Sequence, residues 1–178
     1  MTILSKIILR RYRKTMSHDS HLPTAGFFRR IGALLYDACL ILALEIIAAG
    51  LIIAILGALA STELIQYGQY QDASGFLTHH PLWSPIFTAY LAIVWISFFV
   101  WFWTRTGQTL GMKAWRLIVR NEDGSPLTVT QSLIRLFTSG FGVSNLTVPF
   151  DPQKRGFHDI WAKSQVYVLP KTGSQKPL

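Results

Sequence analysis

The 178-residue chain has one cysteine, Cys39, and only nine Asp and Glu against seventeen Lys and Arg. A single thiol forms no disulfide within the chain and builds no thiolate metal cluster, so redox chemistry is not expected. Charged residues make up 15% of the sequence and hydrophobic residues half of it, with a positive mean hydropathy. A soluble domain carries about 25% charged residues, so this composition points away from one. His79 and His80 are adjacent, and no third or fourth ligand stands near them at useful spacing; no metal site is expected. His158-Asp159 suggests a catalytic base, but no nucleophile motif of the Gly-x-Ser-x-Gly kind accompanies it, so no enzyme is expected. Gly107 and Gly111 enclose three residues where a phosphate loop needs four, and Met112 stands where its lysine belongs. No cofactor is expected, and residues 107–113 read as a turn into a surface helix.

What the chain has is long apolar runs with cations at their ends. The net charge of +8 does not imply nucleic acid, because the basic residues flank apolar runs instead of lining one polar face. The expected partner is a lipid bilayer. Residues 1–24 form a basic arm. Its apolar stretch 3–9 is interrupted by Lys6 and leads into Arg10, Arg11, Arg13 and Lys14, the reverse of signal-peptide order, so it reads as a cytoplasmic amphipathic arm or a basic tail.

Residues 31–60 are apolar except for Asp37 and Glu45, and exceed the ~20 residues a bilayer requires. Within 38–58, eleven Leu and Ile each favour insertion by about 0.3–0.6 kcal/mol, which outweighs about 3 kcal/mol for one central carboxylate. A second span, 84–103, has Trp83 at one border and Trp101, Trp103 and Arg105 at the other. Between them, residues 61–82 carry Glu63 and Asp72 and no Lys or Arg. Arg29 and Arg30 precede the first span, and Arg105, Lys113, Arg116 and Arg120 follow the second. The positive-inside rule places the intervening loop outside and the basic segments in the cytoplasm. In the first span Gly50, Ala54 and Ala58 form a small-residue face, expected to receive the second span or a second copy of the chain.

The remainder is mixed. Residues 116–120, a Gly-containing turn at 121–124 and residues 127–130 read as a strand, a turn and a second strand, with 164–169 as a third. Residues 131–150 are apolar but include Arg135, Gly140, Gly142, Asn145 and Pro149, and Lys154, Arg155 and Lys163 follow. A straight lipid-facing span would leave polar groups unsatisfied and carry a basic tail outside. We read a broken or re-entrant helix with both ends cytoplasmic in preference to a third span. The expected organisation is an α-helical membrane domain over 25–170, with two transmembrane helices, this third segment and a small cytoplasmic sheet, then a polar tail at 171–178.

Arg30 and Asp37 are seven residues apart, so on a helix they share a face, about 10 Å apart along its axis. Asp159 returns to the same border if 131–150 is re-entrant. Three blocks then resemble the RDD family, named for an arginine and two aspartates. Ala25-Gly26-Phe27-Phe28-Arg29-Arg30-Ile31-Gly32-Ala33 with Asp37 resembles its first-helix signature. Residues 107–113, 119–124 and 131–135 resemble its central block, and Phe150-Asp151-Pro152 through His158-Asp159 its closing one. The resemblance runs over about 25–168 and maps the name-giving residues onto Arg30, Asp37 and Asp159. Where the family often has Gly-Thr before its last strand, this chain has Lys163-Ser164.

The resemblance implies a multi-pass protein of the bacterial inner (plasma) membrane, in a family for which cation and proton exchange has been suggested. Arg30, Asp37 and Asp159 are expected to form one network, with Arg30 as the shared cation and the aspartates as its acceptors. It serves either as a structural clamp or in transport. Glu45 lies about 12 Å deeper along the helix and within about 80° of the Asp37 face, and so is an ion- or proton-carrying candidate or a hydrogen-bonded neutral acid. Two functions follow: transport-associated, in a homo-oligomer or with a membrane-protein partner, or a non-transporting accessory or assembly subunit.

Overall fold

The computed structural model describes residues 22–170. All but the last three residues of the basic arm, and the whole polar tail, lie outside them. The elements are α1 (Phe27–Ser61), α2 (Ala73–His79), α3 (Trp83–Arg105), α4 (Leu110–Ala114), β1 (Leu117–Asn121), α5 (Val129–Ser139), a 3-10 helix (Gly140–Thr147), α6 (Phe157–Trp161) and β2 (Ser164–Val168). The described residues form two compact units: one holds residues 22–37 and 99–170, the other Ala38–Phe98.

Both long helices, α1 with 35 residues and α3 with 23, are long and apolar enough to cross a membrane. They leave large apolar side chains exposed, among them Leu42, Ile46, Ile47 and Ile93, as a lipid-facing surface requires. At the start of α3 the His80 Nδ1 accepts from the Leu82 and Trp83 N–H groups at 3.2 and 3.3 Å. Pro85 falls in the first turn, where a helix has no use for its missing N–H. In the second unit the Tyr90 hydroxyl donates to the Ala48 carbonyl at 3.4 Å. The face formed by Gly50, Ala54 and Ala58 is exposed, and a Cβ at Gly50 would meet nothing within 4 Å. The second span therefore does not occupy it, contrary to the first of the two expectations.

The other unit is built on a strand pairing between segments far apart in sequence. β1 runs antiparallel to β2 in the register Leu117–Val168 to Asn121–Ser164. The stretch leading into α1 adds to its edge: Ala25 N–H donates to Val166 O and Val168 N–H to Pro23 O, both at 2.8 Å. The expected strand at 127–130 is absent. Its turn forms, with Gly124 N–H bonded to Asn121 O at 2.9 Å, but Thr128 then caps a helix. The Thr128 Oγ1 accepts from Gln131 N–H at 3.2 Å while Gln131 Oε1 accepts from Thr128 N–H at 3.0 Å. This reciprocal pair is a capping box, and it overrides the β-branched composition of Val129 and Thr130. Gln131 Nε2 also donates to Asn121 Oδ1 at 2.8 Å and Ala162 O at 3.1 Å, which ties α5 to β1 and to the end of α6.

Residues 131–150 form no continuous span. α5 has 11 residues, about 16 Å of helix, and Gly140, Phe141 and Gly142 all have positive φ, of 52°, 53° and 97°. Gly142 is required twice: its φ suits glycine, and a Cβ there would come within 2.2 Å of Leu34 Cδ2 on α1. Polar side chains of this segment turn inward, with Ser132, Arg135, Ser144 and Asn145 buried, while Phe137, Phe141, Val143, Leu146 and Phe150 are exposed. That is the inverse of a water-soluble fold.

Candidate functional site

The buried polar residues of the first unit gather around Asp159. Its position follows from local structure: α6 begins after Gly156, and the Asp159 side chain reaches back one turn, where Oδ2 accepts from Gly156 N–H at 2.8 Å. Oδ2 also accepts from Arg30 Nη1 at 2.5 Å, and Oδ1 accepts from Arg135 Nη1. Asp159 is fully buried, and the side chains of Arg30 and Arg135 are 3% and 5% exposed.

Arg30 spends its planar fork on three acceptors in different directions. Nε donates to Ala25 O at 3.1 Å, Nη1 to Asp159, and Nη2 to Lys154 O at 2.9 Å. It therefore joins the start of α1 to the loop before α6. Arg135, from the middle of α5, donates through Nη1 to Ser164 Oγ at 2.8 Å as well, and its guanidinium carbon lies 5.2 Å from the centroid of the Trp103 ring. A cation over an aromatic face is attractive, the more so when dry. α1, α3, α5, α6 and β2 thus meet through one carboxylate.

Burial alone would raise the Asp159 carboxyl. The surrounding donors and positive charges together outweigh it, Arg135 foremost, with Arg30 and the Gly156 N–H, and hold Asp159 below the usual carboxylate range. His158 bonds through Nδ1 to the Ser144 hydroxyl, and its Nε2 lies 3.3 Å from Asp159 Oδ1. Burial, reinforced by the positive charges of Arg135 and Arg30 against the pull of Asp159, lowers its pKa to about 3. Serine, histidine and aspartate are therefore contiguous, in an order that hydrolases use. At neutral pH, however, this imidazole is a poor proton acceptor, and its carboxylate is already bound to two cations. The row of three acts as a polar crosslink between the 3-10 helix and α6.

Asp37 belongs to a different arrangement. Its Oδ2 accepts from the Thr109 hydroxyl and its Oδ1 from Gly111 N–H at 2.8 Å. Thr109 Oγ1 in turn accepts from Met112 N–H at 3.1 Å, so one hydroxyl caps α4 and binds the carboxylate. The backbone of α4 comes so close to α1 that a Cβ on Gly111 would lie 2.3 Å from Ala33 O and 2.8 Å from Asp37 Cγ.

The structure brings Arg30 and Asp159 together and gives Asp37 other partners. Arg30 was expected to be shared by two aspartates; instead, Asp159 is shared by two arginines. Two helical turns separate Arg30 from Asp37, and Thr109 and Gly111 supply donors at the site of the carboxylate itself. Glu45 lies in the second unit, and its buried Oε1 has no hydrogen-bond partner among the described residues. Among the described residues no three His, Cys, Asp or Glu side chains gather to hold a metal ion. The sequence placed Arg135, Thr109 and Gly111 in blocks that resemble the family and marked Ser164 as a departure from it, but assigned none of them to the charge network, and Ser144 was not singled out. For Arg135 the signals were a lone cation in an apolar segment and its place at the end of the 131–135 block.

A family model described as the RDD family matches residues 24–163. No curated protein and no solved structure gives a match. With Arg30 and Asp159 paired in one buried cluster, Asp37 bound at the start of α4, and two apolar helices long enough to span a bilayer, the chain belongs to the RDD family of membrane proteins.

Proposed function

We propose that the protein is a non-enzymatic, transport-associated component of the bacterial inner membrane, in which Glu45 carries the ion or proton and the Arg30–Asp159–Arg135 cluster is a clamp. The observation behind this is the Glu45 Oε1, which is buried without a hydrogen-bond partner among the described residues, midway along a 35-residue apolar helix. Ionisable side chains inside a membrane are costly and tend to mark ion pathways. The cluster, by contrast, has its carboxylate occupied on both oxygens. With two spans, the pathway is completed by further copies of the chain or by a membrane-protein partner.

The test is flux in sealed vesicles containing purified protein. A Na+ gradient should drive H+ movement, Glu45→Gln should abolish it at unchanged folded content, and Asp37→Asn should reduce folded protein with activity per folded molecule retained. Wild-type vesicles that move neither ion would leave the accessory reading in its place. That reading draws support from the exposed small-residue face at Gly50, Ala54 and Ala58, which a partner helix can approach closely.

The topology proposed has the amino terminus and basic loops in the cytoplasm, with residues 131–150 dipping into the leaflet and returning. Its support is the outward-facing Phe137, Phe141, Val143, Leu146 and Phe150, together with a helix too short to cross. In a Cys39→Ser background, cysteines at Gln69 and Gln153 should report opposite sides. Labelling of both by an impermeant thiol reagent on intact cells would rule the re-entrant arrangement out.

A further inference from the structure

The loop between the two long helices holds a cavity of about 430 Å3 that the reading above does not use. It is lined by Gln66, Tyr67, Gln69, Tyr70, Phe76 and His80, together with Gly68 and Pro81. Phe76 on α2 is the hub, its ring centroid 5.9 Å from Tyr67, 5.8 Å from Tyr70, 4.8 Å from His80 and 6.2 Å from Trp83. His80 is fixed by the two N–H groups that its Nδ1 accepts, and the Tyr70 hydroxyl donates to His79 O at 3.4 Å. The Tyr67 hydroxyl is buried and has no hydrogen-bond partner among the described residues.

We propose that this cavity binds a primary alkylammonium ion, with its charge over the aromatic faces and one N–H donated to the Tyr67 hydroxyl. Aromatic faces carry negative potential and attract cations, most strongly where water is displaced. Residues 61–82 contain Glu63 and Asp72 and none of the seventeen Lys and Arg, so the local field favours a cation and repels an anion. An apolar ligand would leave the Tyr67 oxygen unpaired, and a quaternary ammonium has no N–H to offer it. A primary ammonium satisfies both requirements. Its source is either an ethanolamine-type lipid headgroup or a soluble amine.

The full chain in dodecyl maltoside micelles is titrated calorimetrically with propylammonium, tetramethylammonium and 1-propanol. Propylammonium should bind saturably and 1-propanol should not. Tyr67→Phe keeps the ring and its contact with Phe76 and should weaken propylammonium about tenfold or more, while leaving tetramethylammonium unchanged. Tyr70→Leu removes a ring face and should weaken both cations. In nanodiscs, replacing phosphatidylglycerol with phosphatidylethanolamine should lower the apparent propylammonium affinity if the headgroup is the occupant; unchanged affinity assigns a soluble amine. The proposal is overturned if propylammonium does not bind, if 1-propanol binds equally well, or if Tyr67→Phe, unfolding at the wild-type temperature, keeps full propylammonium affinity.

Discussion

Asp159→Asn should remove most folded protein from the membrane fraction, or lower its stability by about 3–5 kcal/mol where enough survives to be measured. The substitution keeps the shape but deletes the charge on which two buried guanidiniums depend. Arg30 and Arg135 would then face each other uncompensated, with the neutral His158 unable to help. Arg30→Lys should also be severe, because an ammonium cannot reach Ala25 O, Asp159 and Lys154 O together. A double-mutant cycle in micelles separates shared from independent partners. Arg30→Gln combined with Asp159→Asn should cost less than the sum of the two, since their contact is lost only once. Asp37→Asn combined with Asp159→Asn should add, since the donors from Thr109 and Gly111 reach Asp37 and not Asp159. Coupling between the two aspartates, or strict additivity between Arg30 and Asp159, would sink this assignment.

Gly111→Ala is expected to be nearly as damaging, although it adds a single methyl group. The new Cβ would stand 2.3 Å from the Ala33 carbonyl oxygen and 2.8 Å from the Asp37 carboxyl carbon. Backbone of an unbroken helix cannot yield, and the carboxylate is pinned by two donors, so α4 must move away. That movement breaks the bonds from Thr109 and Gly111 and strands the Asp37 carboxylate. Overpacking alone costs about 1–3 kcal/mol, and an unsatisfied buried acceptor about as much again. Gly50→Ala is the control: its Cβ meets nothing within 4 Å, and it should leave stability unchanged or raise it by up to about 1 kcal/mol. Equal thermal unfolding of Gly111→Ala and wild type would refute the close approach of α4 to α1.

What the sequence disclosed depended on how locally each feature is encoded. Residues 31–60 and 84–103 announce themselves because lipid demands a continuous apolar run, and α1 and α3 cover both. The break at 140–142 was legible from Gly140 and Gly142. The strand at 164–168 was read at 164–169, but its pairing was not. Register between β1 and β2 is set by pairs 43 to 51 residues apart, from Asn121–Ser164 to Leu117–Val168, whereas at 127–130 a strand was expected where the Thr128–Gln131 box starts a helix. The charge network shows the same limit. Spacing on one helix can say that Arg30 and Asp37 share a face, but which donors arrive from elsewhere is fixed by tertiary packing. Thr109 and Gly111 look like ordinary turn residues until α4 is seen against α1.

The pairing of Arg30 with a carboxylate 129 residues further along also sets a schedule for biogenesis. At about 5–20 residues per second, a ribosome needs roughly 6–26 s to make the interval. Through that time the first helix is already being partitioned into lipid, while Arg30 still carries a bare charge. On the topology proposed above, Arg30 should act during synthesis as a topogenic signal, holding its end of α1 at the surface beside Arg29. Only when Asp159 emerges does the same guanidinium turn from anchor into latch. A chain truncated before α6 should consequently insert in the right orientation and then be degraded, as orientation and retention are decided by one residue at two different times.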